Sequence, residues 1–574
     1  MKNFKINNSK IGTKILPLII ALATLIGCND MLHVDSDRLT SESDYDLNAS
    51  GDSVYSMFGI LSKLQKLGDS YVLLGELRGD LLDVSSNSDA SLKEINNFEV
   101  SSQNAYVNIK DYYDVINNCN YVIQKLDTSV LDRGLKVKLR AYAAVKSIRA
   151  WTYMQMALNY KTVKYLEKPI LTVEDAEKDY SSSEITLLEL ANKLIADIEP
   201  LKLVENPDLG FLDSYNSSYS YFPIRFVLGD LYLWRGSLTG NSSDYENAAT
   251  QYRMLMYEQR QSINGERDNS LVPTATSSTS YWIPINGTIT SNANLFWIKS
   301  MTISGGEVLT TITCPTEYGR SYKLDTLNNL HSIVPSAIAI KNWDSQTYYL
   351  NEASNTTGDL RKYGSISYNA ATNSNSTTIS TDYAFSGSTI DNYLIYKYKL
   401  YQKNVVVYRA SLLYLRYAEA VNRLEKPKLA FAVLKYGLNS TTMFNDKIVP
   451  PNERTTPLPE YMSFLDLRFK NNVGIRMRGL GNLDKDTTFY TIPKLNTLKD
   501  SILYVEDKIE QELALETAFE GNRYHDLMRI ALRRIKNNEG DESYLANKVA
   551  EKHSSNKTSI RNKLMNTDNW YIKK

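Results

Sequence analysis

The residues of this 574-residue chain that could do chemistry are four histidines (His33, His331, His525 and His553), three cysteines (Cys28, Cys119 and Cys314) and an excess of tyrosine, 41 Tyr against 14 Phe and 6 Trp. No histidine pair stands in H-E-x-x-H spacing, which excludes the helix-borne zinc site of that class of metalloprotease. No G-x-S-x-G elbow presents a serine nucleophile. Gly479-Leu480-Gly481-Asn482-Leu483-Asp484 begins like a dinucleotide loop, but it ends in Asp and no apolar strand precedes it. The cysteines are too scattered for a disulfide framework or a zinc pair. His525 reads as a packed helix residue. Paired carboxylates come together only in three dimensions, so a surface glycan or peptide hydrolase stays open as the competing class. The residues call for no catalysis and no cofactor; no EF-type loop is present, and a structural calcium stays open without a signature. Lys plus Arg and Asp plus Glu number 65 each. With no net basic field, nucleic-acid binding is not expected. A tyrosine ring packs while its hydroxyl stays hydrated, so the excess suits a wet surface that touches polar ligands.

Of the cysteines, Cys28 has a specific context. Lys2, Lys5, Lys10 and Lys14 precede the apolar run 15–26, and no acidic residue interrupts them. That is the n-region and h-region of a signal peptide, and the run is too short to span a bilayer as a stable helix. Leu25-Ile26-Gly27-Cys28 follows and resembles the bacterial lipobox. The thiol of Cys28 is expected to take a diacylglyceryl thioether, and the amine freed by cleavage a further palmitate-type chain, giving stable membrane anchoring. Residues 1–27 are then a removed leader, and 28–47 a polar tether reaching the body.

The body that must position any site reads as helical. Apolar residues at three- and four-residue spacing predict helices near 45–66, 105–126, 136–159, 184–199, 223–237 and 244–260, and a final run over 505–536. Two segments fit helical-hairpin repeats of tetratricopeptide type. Leu228-Gly229-x-x-Tyr232 is followed by Ala248 and Tyr252, and Ala418 by Ala430, Leu434 and Gly437. Small residues at such crossings let helix axes approach closely. Serine, threonine, asparagine and glycine dominate 265–392, with a second irregular stretch at 441–500. Loops and short strands are expected there, and such insertions are where binding residues gather. Residues 48–536 form the body, and 537–574 are assigned to a C-terminal tail.

Four separated blocks then resemble the SusD/RagB family. The block from Glu512 to Arg529 (ELALETAFEGNRYHDLMR) is similar to its E-L-A-x-E-x-x-x-E-G-x-R-x-x-D-L-x-R signature, placing Glu512, Glu516, Glu520, Arg523, Asp526 and Arg529. Arg409 through Glu419 and Ala420 resembles its R-x-x-x-x-Y-L-x-Y-A-E-A helix, Asp359-Leu360-Arg361 its D-x-R turn, and Tyr113, Ile116 and Asn120 its early Y-x-x-I-x-x-x-N helix. Glutamates at every fourth residue share one helix face. The signature therefore reads as a structural ion-pair network rather than as a site. The resemblance implies a mainly α, SusD-like fold of tetratricopeptide-type hairpins with long irregular loop insertions and little strand. It also implies a lipid-anchored protein on the outer face of the outer membrane. There it would bind oligosaccharide, or in an alternative oligopeptide, and deliver it to a SusC-like TonB-dependent outer-membrane transporter. Ligand-facing aromatics are expected in the insertions: Tyr281, Trp282, Trp297, Trp343, Tyr348 and Tyr349, with Trp282 foremost. An adhesive surface scaffold would share the anchor and the helices but would not saturate with soluble oligomers.

Overall fold

The computed structural model describes residues 47, 50–131, 134, 136–180, 183–207, 210–212, 215–258, 261–263, 266–268, 308–313, 323–349, 355–368, 393–401, 404–470, 472–480 and 490–574. The leader, Cys28 and the tether up to residue 46 lie outside the described residues. The chain divides into the units Met1–Ser53 and Val54–Lys574, the second of which carries the fold.

That fold is mainly α. After the helix Ser50–Leu64 come α1 (Lys66–Glu76), α2 (Ile109–Lys125), α3 (Val137–Tyr160), α4 (Leu187–Ile198), α5 (Ile224–Thr239) and α6 (Ser242–Glu258). Further along the chain follow α7 (Ala337–Asp344), α8 (Ala410–Arg423), α9 (Pro427–Lys435), α10 (Leu498–Glu516), α11 (Arg523–Lys536), α12 (Ser543–Ala550) and α13 (Lys557–Leu564). Local chemistry sets several starts. Thr186 and Glu189 form a reciprocal capping box at α4, and Thr497 and Asp500 do the same at α10. The expectation of one helix ending near residue 66 stops a helix short. Almost every residue of α1 is buried, so the polar stripe that would reveal an amphipathic helix is missing.

The two expected hairpins are present as α5 with α6 and α8 with α9. A Cβ on Gly229 would stand 2.3 Å from the Tyr252 ring, so the glycine is what lets the first pair close. The hydroxyl of Tyr252 donates to Asp230 (2.7 Å), and that of Tyr408 donates to the other oxygen of the same carboxylate (2.9 Å). Many tyrosines thus serve the core rather than a wet surface, because a buried ring with a partnered hydroxyl costs little. Among the described residues every sheet has two strands. The longest pairs β1 (Val308–Thr313) antiparallel with β2 (Asn404–Arg409), which delivers Arg409 to the start of α8. No helix of the described residues is long and apolar enough to cross a membrane.

The signature block departs from the expected single run over 505–536. Helix α10 ends at Glu516, and the chain turns through Phe519 (φ 70°) and Gly521 (φ 87°) before α11 begins. Backbone crowding forces the break: a Cβ on Gly75 would lie 1.9 Å from the carbonyl oxygen of Gly521, and one on Gly521 2.6 Å from Tyr71. The Glu76 carboxylate accepts from the amides of Phe519, Gly521, Asn522 and Arg523, stitching α1 to the turn. Glu512 and Glu516 share the α10 face as expected, whereas Glu520 projects from the turn.

Around that face the charges form a closed network. Arg361 bridges Asp359 (2.7 Å), Glu512 (2.9 Å) and Glu516 (3.3 Å). Arg409 and Arg478 also reach Glu516, and Arg409 and Lys397 reach Glu520. Asp359 accepts from the backbone and side chain of Arg361, so the D-x-R segment is a turn. A second cluster joins Glu419 to Arg529 and Arg533, and Asp526 to Arg416 and Arg529. Arg523 pairs with Asp80 and with Glu510 of α10. In the early helix, Asn120 donates to the carbonyls of Leu166 and Lys168 while Ile116 is buried.

Residues 537–574 are not a loose tail. Helices α12 and α13 lead to Trp570, fully buried, whose carbonyl accepts from the Tyr524 hydroxyl (2.8 Å), and Ile572 donates its amide to Asn159 O (2.8 Å). Leu545, Val549, Ile560 and Leu564 give these short, lysine-rich helices a buried face that their composition conceals.

The network sets a pH window. Burial raises the carboxyl pKa of Glu506, but Arg533, Arg423 and Arg534 outweigh it and draw it down to about 2. Glu510 is likewise drawn to about 2, by Arg523 and Lys548 against its own burial. A carboxyl whose pKa falls on folding stabilises the fold above its unfolded pKa and loses that contribution as pH falls toward the folded value. Each of these two groups then contributes about 3 kcal/mol that disappears between pH ~4.5 and ~2. Glu76, which burial pushes up to about 8, opposes folding increasingly as pH climbs from ~4.5 toward that value. Urea denaturation should therefore show the Glu506→Gln variant less stable than the parent by about 3 kcal/mol at pH ~7, with the gap closing near pH ~2.5.

Candidate functional site

Helix α6 ends at Glu258, shortly before the polar stretch 265–392, and β1 begins at Val308 within that stretch. A cavity of about 480 Å³ opens at the root of that insertion, lined by Tyr219, Arg225, Tyr257, Glu258, Leu309 and Arg468 among others. Four elements place the charged and aromatic groups. The short turn Ser217–Ser220 supplies Tyr219, α5 and the end of α6 supply Arg225, Tyr257 and Glu258, and the turn Leu467–Phe469 in the second irregular stretch supplies Arg468. Both stretches expected to carry binding residues thus converge here.

Arg225 is buried and held from two sides, donating to Glu258 (2.7 Å) and Gln251 (2.8 Å). The Arg468 guanidinium lies over the Tyr257 ring at 3.9 Å from its centroid and donates to the Tyr257 carbonyl at 3.2 Å. That stacking fixes the ring plane of a half-buried tyrosine whose neighbour Arg253 approaches from 5.1 Å. Burial raises the pKa of the Tyr219 hydroxyl, which stays protonated as a donor. Leu203 adds an apolar rim, 77% exposed. The arrangement offers flat apolar ring area beside fixed charged donors and acceptors. Such a site can hold a polyhydroxylated ring by stacking and hydrogen bonds. Among the described residues no group of three or more His, Cys, Asp or Glu side chains is placed to hold a metal ion.

Of the expected ligand aromatics, Tyr281, Trp282 and Trp297 lie outside the described residues, as do Cys28 and Cys314. Tyr348 and Tyr349 fall in the strand Thr347–Tyr349, whose backbone pairs with Asn355–Thr357. Trp343 is a correction. It is 1% exposed on α7, its indole N–H donates to Leu515 O (3.1 Å), and its ring packs 5.9 Å from that of Phe519. A ring so enclosed cannot stack on a solute, because every face already has protein neighbours. His525 is a packed helix residue, buried beside Arg78 and Asn159. Cys119 is buried and free, and burial pushes its thiol up to about 12. Tyr219, Tyr257, Arg225 and Arg468 are absent from the sequence reading, which looked for aromatics inside the insertions. The nearness of Tyr257 to the polar stretch that begins at residue 265 was the available signal.

No family model matches the chain, and neither does any curated protein sequence. The fold itself has clear relatives among solved structures. A SusD superfamily protein from Bacteroides vulgatus is 14% identical over 89% of this chain and 94% of its own, with a TM-score of 0.54. One from Bacteroides fragilis is 16% identical over 84% and 88%, with a TM-score of 0.53, and one from Bacteroides thetaiotaomicron 11% identical over 88% and 98%, at 0.52. The chain has the architecture of a helical protein with a loop-rooted cavity. More particularly, it has the SusD-like fold.

Trp343 and the cavity make separable demands. Trp343→Ala is expected to cost about 3–5 kcal/mol of stability by leaving a void in the core. Thermal melting checks this, and the affinity of the folded fraction for any ligand should not move.

Proposed function

We propose that this chain is a cell-surface lipoprotein that binds oligosaccharides and passes them to a partner TonB-dependent outer-membrane transporter, without catalysis. The observation that carries the reading is the cavity at the insertion root, where Tyr219 and Tyr257 offer ring faces and Arg468 fixes one of them. Sugar rings present an apolar face and a hydroxyl edge, and this combination serves both. The fold agrees, since one solved structure that shares it, 15% identical with a TM-score of 0.51, is described as a putative sugar-binding protein from Bacteroides vulgatus. The basic, then apolar leader ending at Cys28 supplies the anchor that keeps such a site outside the cell. Delivery then needs only that ligand favour the transporter-docked state over the free one.

Titration calorimetry of the full-length chain in detergent, against panels of neutral oligosaccharides and of peptides, tests the binding half. Saturable binding of an oligosaccharide is expected, with Tyr257→Ala weakening it about tenfold and leaving the melting temperature nearly unchanged. Saturation by peptides alone, or turnover of any panel member, would overturn the reading.

A further inference from the structure

On the face formed by the C-terminal segment lies a second cavity, of about 300 Å³, with an unusual cation in its lining. Arg78 is among the largest fully buried side chains, together with Arg409, Arg478, Arg529 and Arg533. Each of the other four has a carboxylate close by: Glu516 at 2.8 and 2.6 Å for Arg409 and Arg478, Glu419 at 2.6 Å for Arg529 and for Arg533. Arg78 has none among the described residues. Its Nε donates to Leu74 O (2.9 Å), Nη1 to Trp570 O (3.3 Å) and Nη2 to Asn159 Oδ1, with His525 Nε2 3.3 Å away. The guanidinium lies over the Tyr524 ring at 4.3 Å. Every partner is neutral. Burial and the neighbouring Arg78 both depress the His525 imidazole well below its usual range, so it adds no charge of either sign.

A buried positive charge without a counter-ion is costly unless something negative can come to it. The cavity supplies the route. Arg78 is in its lining, Phe98, Val100 and Ile572 give apolar walls, and Tyr571 and Asn569 add polar groups. A guanidinium has five N–H donors. Four have neighbours here, which leaves one on Nη1, the nitrogen turned toward the segment 569–572 that forms the wall. At the mouth stand Lys563, paired with Glu99 (2.7 Å), and Lys573, which is exposed. Asp568, the other acidic group nearby, is engaged with Lys161 at 2.5 Å. Counting Arg78, Lys563 and Lys573 against Glu99, the lining is net positive.

We propose that this cavity is a binding site for the carboxylate of a small organic acid, held by Arg78 within and Lys573 at the entrance. Its size suits a single sugar-acid unit or the terminal residue of a peptide, two sources of the same chemistry. The site is separate from the cavity at the insertion root and does not depend on the reading given to that one.

Titration calorimetry of the full-length chain in detergent tests the proposal with two matched pairs: glucuronate against glucose, and N-acetylalanine against N-acetylalaninamide. Saturable binding of one or both carboxylates and none of the neutral partners is expected. Glucuronate alone identifies a sugar acid, N-acetylalanine alone a peptide terminus, and both together a general carboxylate site. Lys573→Glu, on an exposed residue that leaves the core intact, should weaken binding about tenfold, and Arg78→Gln should abolish it wherever that variant folds. Tyr257→Ala should have no effect. No saturation by either acid, equal binding of the neutral partners, an unchanged affinity in Lys573→Glu, or loss of binding in Tyr257→Ala would each overturn the proposal.

Discussion

Glu516 sits at the last turn of α10 with Arg361, Arg409 and Arg478 around it, and the rest of the fold is arranged so that none of these four charges meets water. The three arginines come from three distant places in the chain: the D-x-R turn inside the first irregular stretch, the end of β2, and the short helix Met477–Leu480 inside the second irregular stretch. A charge buried this deeply is tolerable only when its partners are complete. The network therefore acts as a registration device. If any one segment docks elsewhere, at least one ion is left uncompensated. Against burial, the arginines hold the Glu516 carboxyl well below the ordinary carboxylate range, so it stays charged in the folded chain. Ion pairs of this kind contribute little net stability compared with a hydrophobic substitute, and what they contribute is uniqueness of arrangement.

This explains how two long polar insertions coexist with an ordered core. Both stretches bury apolar residues of their own, among them Ile333, Trp343, Met462, Phe464 and Phe469, and ion pairs add a fixed register to that packing. The first is anchored through Asp359, Arg361 and Lys397, and the second through Arg476 and Arg478. The cavity bounded by Tyr219, Tyr257 and Arg468 opens beside the end of α6 and the start of β1.

The frame was legible in the sequence because helix periodicity and small-residue crossings are local signals. The pairs Gly229 with Tyr252 and Ala418 with Ala430 could be placed from spacing alone, and so could the glutamates of α10. What could not be read was anything that depends on distant partners. The break after Glu516 follows from the close approach of Gly75 to Gly521, residues more than four hundred positions apart, and nothing near Glu516 announces it. The same limit applies to the C-terminal helices, whose lysines outweigh their thin apolar face, and to Trp343. An indole in polar sequence looks available, and only the position of Leu515 O shows that its N–H is already spoken for. At the candidate site the neighbourhood was legible and the residues were not. The composition change near residue 265 marked the neighbourhood, but the rings that line the cavity belong to the helix side of that boundary.

The contrast between Glu516 and Arg78 carries the argument one step further. Both are buried ions, and both lie where segments distant in sequence meet. Around Glu516 the protein supplies the opposite charges itself, and the result is a closed, fully matched cluster with no role for a solute. Around Arg78 it supplies aromatic faces and carbonyl oxygens, which orient a guanidinium without neutralising it, and it leaves open space at that point. The same chain that matches its other deeply buried arginines with such regularity leaves this one unmatched beside a cavity. Whether a buried charge is structural or receptive then depends less on its depth than on whether its counter-charge is covalently part of the fold.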